Sequence, residues 1–148
     1  MSLRTRIQDD MKAALRAKEA ARLSAIRLLL AAVKQREVDE RIELDDDAIL
    51  SVVEKLVKQR RDAATQYDTA GRPELASAER FEIEVLSVYL PAQLTPEEID
   101  AEIAAAIAAC GAASPADMGK VMGQLKPRLA GRADMAEVSR KLRAALAT

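Results

Sequence analysis

Apolar residues recur every three or four positions along almost the whole sequence, and this spacing constrains the fold more than any other feature. The first series comprises Leu3, Ile7, Met11 and Leu15, with basic residues between its members. Such spacing places side chains on one face of an α-helix, whereas a strand would need strict alternation. Only 2% of the residues are aromatic, and alanine, leucine, glutamate and arginine dominate. We therefore predict an all-α fold.

Prolines and glycines divide the periodic segments into two groups of helices. Gly71 is expected to end a third helix and Pro91 to close a fourth. A fifth helix is expected to begin soon afterwards, because Thr95 can cap its N-terminus. The sequence thus predicts an N-terminal bundle of about four helices in residues 1–92 and a small three-helix unit in residues 93–148. The side chains expected on the buried sides of the first and fourth helices include Leu15, Leu75, Phe81, Val85, Leu86 and Tyr89.

Composition excludes several kinds of chemistry. The sequence has no histidine and one cysteine, Cys110. Intramolecular disulfides, zinc sites of thiolates and imidazoles, and histidine-based nucleophilic triads are therefore excluded. The acids Asp45–Asp47 stand at a helix start, where capping is their expected role. Glu97 and Glu98 are adjacent and point apart on a helix, so they do not form an acid–base pair. We predict no catalytic residue, no metal site and no cofactor.

No segment of the sequence indicates a membrane or an export signal. The longest uncharged run, Ile103–Ala116, is shorter than the roughly 20 apolar residues that a membrane-spanning helix needs. Asp9 and Asp10 interrupt the region where a signal peptide would be apolar. We therefore predict a cytoplasmic protein with no membrane partner.

Basic charge and glycine are concentrated in one stretch, Ser114–Asp134. The net charge is −1, so attraction to a polyanion has to come from a local patch. This stretch holds three of the five glycines, and its only charges between Asp117 and Asp134 are basic. An anion can approach it without meeting a carboxylate in that run. The candidate binding residues are Gly119, Lys120, Gly123, Lys126, Arg128, Gly131 and Arg132.

Gly119 and Gly123 lie one turn apart in a helix that we expect to start after Ser114. Each costs roughly 1 kcal/mol relative to alanine in a helix. Close approach of another helix or of a nucleic-acid backbone would offset that cost. Pro127 removes an amide donor and Gly131 can adopt a positive φ, so we expect a kinked basic turn in residues 126–132.

The residues alone leave two interpretations of this stretch open. In one, its cations contact phosphates while its glycines let a nucleic-acid backbone come close. In the other, it is a solvated helix face with tight helix packing. The first interpretation favours folded RNA, because no aromatic side chain is present to stack on single-stranded bases. A second basic group, in residues 55–61, is spread over more than one helix face and is expected to be solvated.

Three segments resemble the GatB/YqeY family, in the order typical of that family. They are LSAIRLLLAAVKQREVDER (Leu23–Arg41), YLPAQLTPEEI (Tyr89–Ile99) and DMGKVMGQLKPRLAGRADM (Asp117–Met135), of which the last is the most specific. The resemblance extends over essentially the whole chain. It implies a stand-alone protein similar to the helical tail of GatB, the subunit of the tRNA-dependent amidotransferase that converts misacylated Glu-tRNA(Gln) or Asp-tRNA(Asn).

The resemblance implies tRNA or another folded RNA as the partner, because the GatB tail is understood to contact the outer body of tRNA near its elbow. Pro127 and Arg128 depart from the family's pattern in the glycine-rich segment. The ATP- and magnesium-using cradle that precedes the tail in GatB is missing, so we expect no catalysis by this chain on its own.

Two further roles stay open at this point. The family label, carbon-nitrogen ligase with glutamine as amido-N donor, implies an alternative in which the chain is an accessory factor of amidotransferase subunits. The other alternative is a helical protein-interaction scaffold. The sequence leaves the oligomeric state open.

Overall fold

The computed structural model describes residues 2–147, and within them the protein is helical. That range contains seven α-helices, one 3₁₀ turn and no strand, so the predicted all-α fold is confirmed. The helices are α1 (Leu3–Arg16), α2 (Ala20–Glu40), α3 (Asp46–Thr69), α4 (Pro73–Ser87), α5 (Pro96–Cys110), α6 (Met118–Leu129) and α7 (Met135–Leu146), and the 3₁₀ turn (Pro115–Asp117) precedes α6. The chain divides into two compact units between Leu90 and Pro91.

The N-terminal unit is built around α2, which contacts α1, α3 and α4. Ile26, Leu29 and Val33 of α2 are fully buried, together with Ile7 of α1 and Val53 of α3. Each fully buried branched side chain contributes about 1.5–3 kcal/mol relative to an exposed one. The buried sides of α2 and α3 both contribute to this core, and the contact between α3 and α4 is the most extensive in the unit.

Side chains fix the starts of α1 and α3, and for α3 the sequence predicted this capping by Asp45–Asp47. Ser2 Oγ accepts a hydrogen bond of 3.1 Å from the Thr5 amide, and Asp45 Oδ1 accepts one of 2.9 Å from the Ala48 amide. These bonds satisfy amides that have no partner within their own helix. Gly71 follows α3 with a φ of 71°, a left-handed conformation that glycine adopts without steric strain.

The fourth helix ends earlier than its sequence predicted. It stops at Ser87 and does not continue to Pro91. The Tyr89 and Leu90 amides bond to carbonyls three residues earlier, at 3.2 and 3.1 Å, and this tighter winding ends α4. Tyr89 is buried, as predicted.

Tyr89 is held by charged side chains of α1. Its hydroxyl donates a hydrogen bond of 2.6 Å to Asp10 Oδ2, and the Arg6 guanidinium lies 5.0 Å from the centroid of its ring. Burial, followed by the hydrogen bond to Asp10, raises the pKa of Tyr89 above its ordinary value. The phenol therefore stays protonated and donates this bond at any physiological pH.

Three apolar side chains that were expected in the core are exposed. Leu75 and Phe81 of α4 and Leu15 of α1 lie on outer faces. Periodicity gives the apolar side of a helix but not how much of that side a neighbour covers. In α4 the buried residues are Leu86, as predicted, and Ala76.

The C-terminal unit packs α5, α6 and α7 around a second apolar core. Thr95 and Glu98 form the expected capping box, in which each side chain accepts a hydrogen bond from the other's amide, at 3.1 and 3.3 Å. Gly111 ends α5 with a φ of 64°. The core residues are Ile99, Ile103, Ala106, Val121, Leu125, Leu129, Val138, Leu142 and Leu146. This core fixes which face of α6 points outwards.

Within residues 2–147 no single helix is long and apolar enough to cross a bilayer. Taken together, α5 and the segment Pro115–Leu129 are long and apolar enough to do so by length and composition, but the two meet at an angle of 94°.

Candidate nucleic-acid interface

The start of α6 is anchored by one carboxylate. Asp117 Oδ2 accepts hydrogen bonds from the Ala113 amide at 3.0 Å and from the Ser114 amide at 3.4 Å. These two bonds lower the pKa of Asp117, and the nearby charge of Lys120 lowers it further. The loop before α6 is therefore tied to the helix by a group that is ionised at neutral pH.

The inward face of α6 is set by Val121, Leu125 and Leu129, which are fully buried at four-residue spacing. With 3.6 residues per turn, Gly119, Gly123 and Lys126 project to the other side, within an arc of about 60°. All three are exposed. The core thus turns the glycine backbone and a lysine towards solvent.

Lys120 stands beside this line of glycines on the same exposed side. It lies about 60° around the helix axis from Gly123 and about 9 Å along the axis from Lys126, so the two lysines flank the glycines. We call the four residues Gly119, Lys120, Gly123 and Lys126 the α6 strip.

The two glycines of the α6 strip face open space. A Cβ atom built on either of them would meet no other atom within 4 Å. Packing between the helices that the structure describes therefore does not account for them. Each glycine still costs the helix about 1 kcal/mol relative to alanine, and nothing within the described chain offsets that cost.

The lysines of the α6 strip are not neutralised by an ion pair. Neither Lys120 nor Lys126 has a carboxylate within 4 Å of its ammonium group among the described residues. Asp117 attracts Lys120 only from a longer distance. Both positive charges are available to an external anion.

Arg128 lies outside the α6 strip. Its Nη2 is 3.0 Å from Glu102 Oε2 of α5, and on the helix it projects about 140° away from Gly123. Elsewhere in the unit, Arg140 pairs with Glu137, and Lys141 pairs with Asp100 at 2.9 Å. Three basic side chains of this unit are thus already paired with acids.

Gly131 and Arg132 form the turn after α6 and hold another segment in place. Arg132 Nε donates a hydrogen bond of 3.3 Å to the Ala92 carbonyl, and the Arg132 carbonyl accepts one of 2.9 Å from the Leu94 amide. The Gly131 carbonyl accepts a bond of 2.7 Å from the Gln93 side chain. These contacts give both residues a structural role, and Arg132 is only partly exposed.

The kinked basic turn expected in residues 126–132 is wrong in its first half. The helix continues through Pro127 to Leu129, and only the residues after it form a turn. Pro127 removes one amide donor, but Leu125 and Leu129 are buried in the same core and the Ala130 amide still bonds to the Lys126 carbonyl at 3.0 Å. Core packing therefore outweighs the lost hydrogen bond.

The seven candidate residues thus separate into three groups. Gly119, Lys120, Gly123 and Lys126 share one open face, Arg128 is paired with Glu102, and Gly131 and Arg132 belong to the turn. Glu102 was not identified from the sequence, because it lies 26 residues from Arg128 and no local pattern connects them.

The chain is similar to a protein family and to several curated proteins. The profile of the family described as Yqey-like protein matches residues 4–146. Curated relatives named "Altered inheritance of mitochondria protein 41, mitochondrial" also match. That of Vanderwaltozyma polyspora is 29% identical over 66% of this chain and 54% of its own length, and that of Lachancea thermotolerans is 35% identical over the same shares. That of Eremothecium gossypii is 34% identical over 58% of this chain and 48% of its own length. The chain spans about half the length of these relatives.

These relatives contradict the predicted cytoplasmic location. Each is named as a mitochondrial protein. The prediction rested only on the lack of an apolar export or membrane segment, which is no positive evidence for a compartment. We therefore withdraw it.

Proposed function

Because this chain belongs to the YqeY-like family, whose profile matches residues 4–146, we propose that it binds folded RNA, specifically tRNA, and catalyses no reaction on its own. The contact surface is the α6 strip. The observation that carries the proposal is that Gly119 and Gly123 face open space between two lysines that have no ion pair within residues 2–147.

The physical chemistry of the α6 strip suits a phosphate backbone. Lysine ammonium groups act as point charges that displace counterions from phosphates without reading sequence. Bare glycine backbone lets a phosphodiester come closer than any side chain would allow. Contact with RNA would also offset the helix-propensity cost of the two glycines.

The identity of the RNA follows from the family resemblance and from what the α6 strip lacks. None of its four residues is aromatic, so stacking on unpaired bases is not its mode of recognition. Shape and phosphate recognition is typical of folded RNA. The GatB tail, which the segment Asp117–Met135 resembles, is understood to contact the outer body of tRNA.

The test is the salt dependence of tRNA binding. We expect the affinity of the unaltered chain to fall as salt rises, and Lys120→Ala and Lys126→Ala each to lower the slope of log K against log salt by about 1. Arg140→Ala is the matched control, because Arg140 is exposed on a helix of the same unit but already paired with Glu137. Absence of tRNA binding, or equal slopes for the lysine and control variants, would reject the proposal.

Two further assays on the same chain distinguish the alternative roles from RNA binding. An accessory factor of the amidotransferase predicts that adding the chain raises glutamine-dependent amidation by the other subunits, and that the subunits co-purify with it. A protein scaffold predicts a stable protein partner and indifference to RNA at every salt concentration.

A further inference from the structure

One face of α2 remains uncovered, although α2 is the central helix of its unit. Leu28 is 48% exposed at the middle of this face, and Val38 and Ile42 are 60% and 52% exposed at and just beyond its C-terminal end. The helix is 21 residues long and therefore about 31 Å from end to end. Leu28 and Val38 project from this side of α2 about 80° apart around its axis, and with Ile42 just beyond the helix end they indicate an interaction surface.

The N-terminal end of the same face adjoins an apolar groove. Ala20 and Ala21 of α2 and Phe81 and Val85 of α4 line this groove, which has a volume of about 530 Å³. Phe81 is 41% exposed there, although the sequence predicted it to be buried. The groove has the size and lining to receive apolar side chains from another molecule.

The two ends of the face also differ in charge. Glu84 lines the groove, and no cation lies within 4 Å of its carboxylate in the described part of the chain. At the other end, Lys34 and Arg41 line a surface that also includes Val38 and Ile42, and neither has an ion pair within residues 2–147. Glu43 lies at that end too, which leaves one positive charge in excess among these three groups.

We propose that this face binds the same face of a second copy of the chain, with the two α2 helices antiparallel. The middle of α2 is near residue 30, so full overlap brings Val38 and Ile42 of each copy to the groove of the other. It also places Leu28 of one copy within one residue of the level of Ala31 of the other, a large side chain near a small one. A two-fold axis repeats each contact, so the contact between the groove end of one copy and the C-terminal end of α2 in the other forms twice.

The charges favour this arrangement over a parallel one. Antiparallel overlap brings Glu84 of each copy towards Lys34 and Arg41 of the other, whereas a parallel copy would bring like ends together. The apolar contact is centred on one helix face, which corresponds to the low end of interface sizes. We therefore expect a dimer that dissociates on dilution.

The test is sedimentation equilibrium of the full chain between about 1 µM and 1 mM, which brackets weak to moderate affinities. We expect the mass to rise with concentration from 16.1 kDa towards twice that value. Leu28→Glu should weaken the dimer at least about ten-fold, because it places an unpaired charge in the contact. Leu15→Glu is the matched control, since Leu15 is an exposed leucine of α1 and lines neither the groove nor the opposite end. Circular dichroism verifies that both variants fold.

A charge exchange tests the orientation. Glu84→Lys and Lys34→Glu should each weaken the dimer, and the two together in one chain should restore it. A chain that stays monomeric up to 1 mM overturns the proposal, whether the face then stays open or binds another protein. A dimer that is indifferent to Leu28→Glu, or a double variant without recovery, overturns it as well.

Discussion

Replacing the glycines of the α6 strip by alanine should make the protein more stable and a weaker RNA binder. At Gly119 and Gly123 the added Cβ meets no atom within 4 Å and φ is not positive, so alanine fits without strain. Each substitution should then raise the free energy of unfolding by about 1 kcal/mol, the difference in helix propensity between the two residues. For a unit of this size, that amount corresponds to roughly 4–8 °C in Tm.

Thermal and urea unfolding, followed by circular dichroism, measure this gain. Gly111→Ala is the control, because a Cβ at Gly111 also meets open space but the backbone there has a φ of 64°. It should lower the free energy of unfolding by about 1 kcal/mol or more, since only glycine adopts that conformation without strain. Comparing these variants distinguishes the effect of the space around the added Cβ from the effect of the backbone conformation.

The result that would refute the reasoning is a loss of stability for Gly119→Ala and Gly123→Ala similar to that of Gly111→Ala. It would mean that the glycine face of α6 is covered within the folded chain. Tighter or unchanged tRNA binding by the stabilised variants would show that bare backbone has no part in recognition.

Three further predictions concern residues outside the α6 strip. Tyr89→Phe removes the hydrogen bond to Asp10 and should lower the free energy of unfolding by about 1–2 kcal/mol in urea. Asp117 has a lowered pKa in the folded state, so its stabilisation is complete above the unfolded pKa of about 3.9 and is lost as pH falls through the folded pKa. Asp117→Asn should therefore remove part of the acid-induced loss of stability, and equal acid titrations of both proteins would contradict this. Lys18 has a φ of 57°, so Lys18→Gly should raise the free energy of unfolding by up to about 1 kcal/mol, and a thermal melt without any gain would count against strain there.

Local signals in the sequence were sufficient to predict the starts of several helices. Thr95 with Glu98, and Asp45, each cap the helix that their sequence indicated, because a cap depends on residues only two or three positions apart. The pairing of Gly119 with Gly123 on one side of α6 likewise followed from helical spacing. Such features are visible without knowledge of the tertiary structure.

Features that depend on distant residues were not predictable. Arg128 was grouped with the binding lysines because Glu102 is far from it in sequence, and Arg132 because its partners, the Ala92 carbonyl and the Leu94 amide, lie in another segment. Phe81 was expected to be buried because its helix periodicity is clear, although its neighbours leave 41% of it exposed. In each of these cases the local sequence pattern is compatible with more than one role, and tertiary packing determines which role the residue has.

The most direct measurement of the central claim is amine labelling of the lysines with and without saturating tRNA, read by mass spectrometry. Lys120 and Lys126 are exposed and should lose most of their labelling when tRNA is bound. Lys55 and Lys58 are also exposed, but they lie on α3 in the N-terminal unit and should be labelled equally in both states. Unchanged labelling of Lys120 and Lys126 at saturation, or protection confined to Lys55 and Lys58, would contradict an RNA contact at the α6 strip.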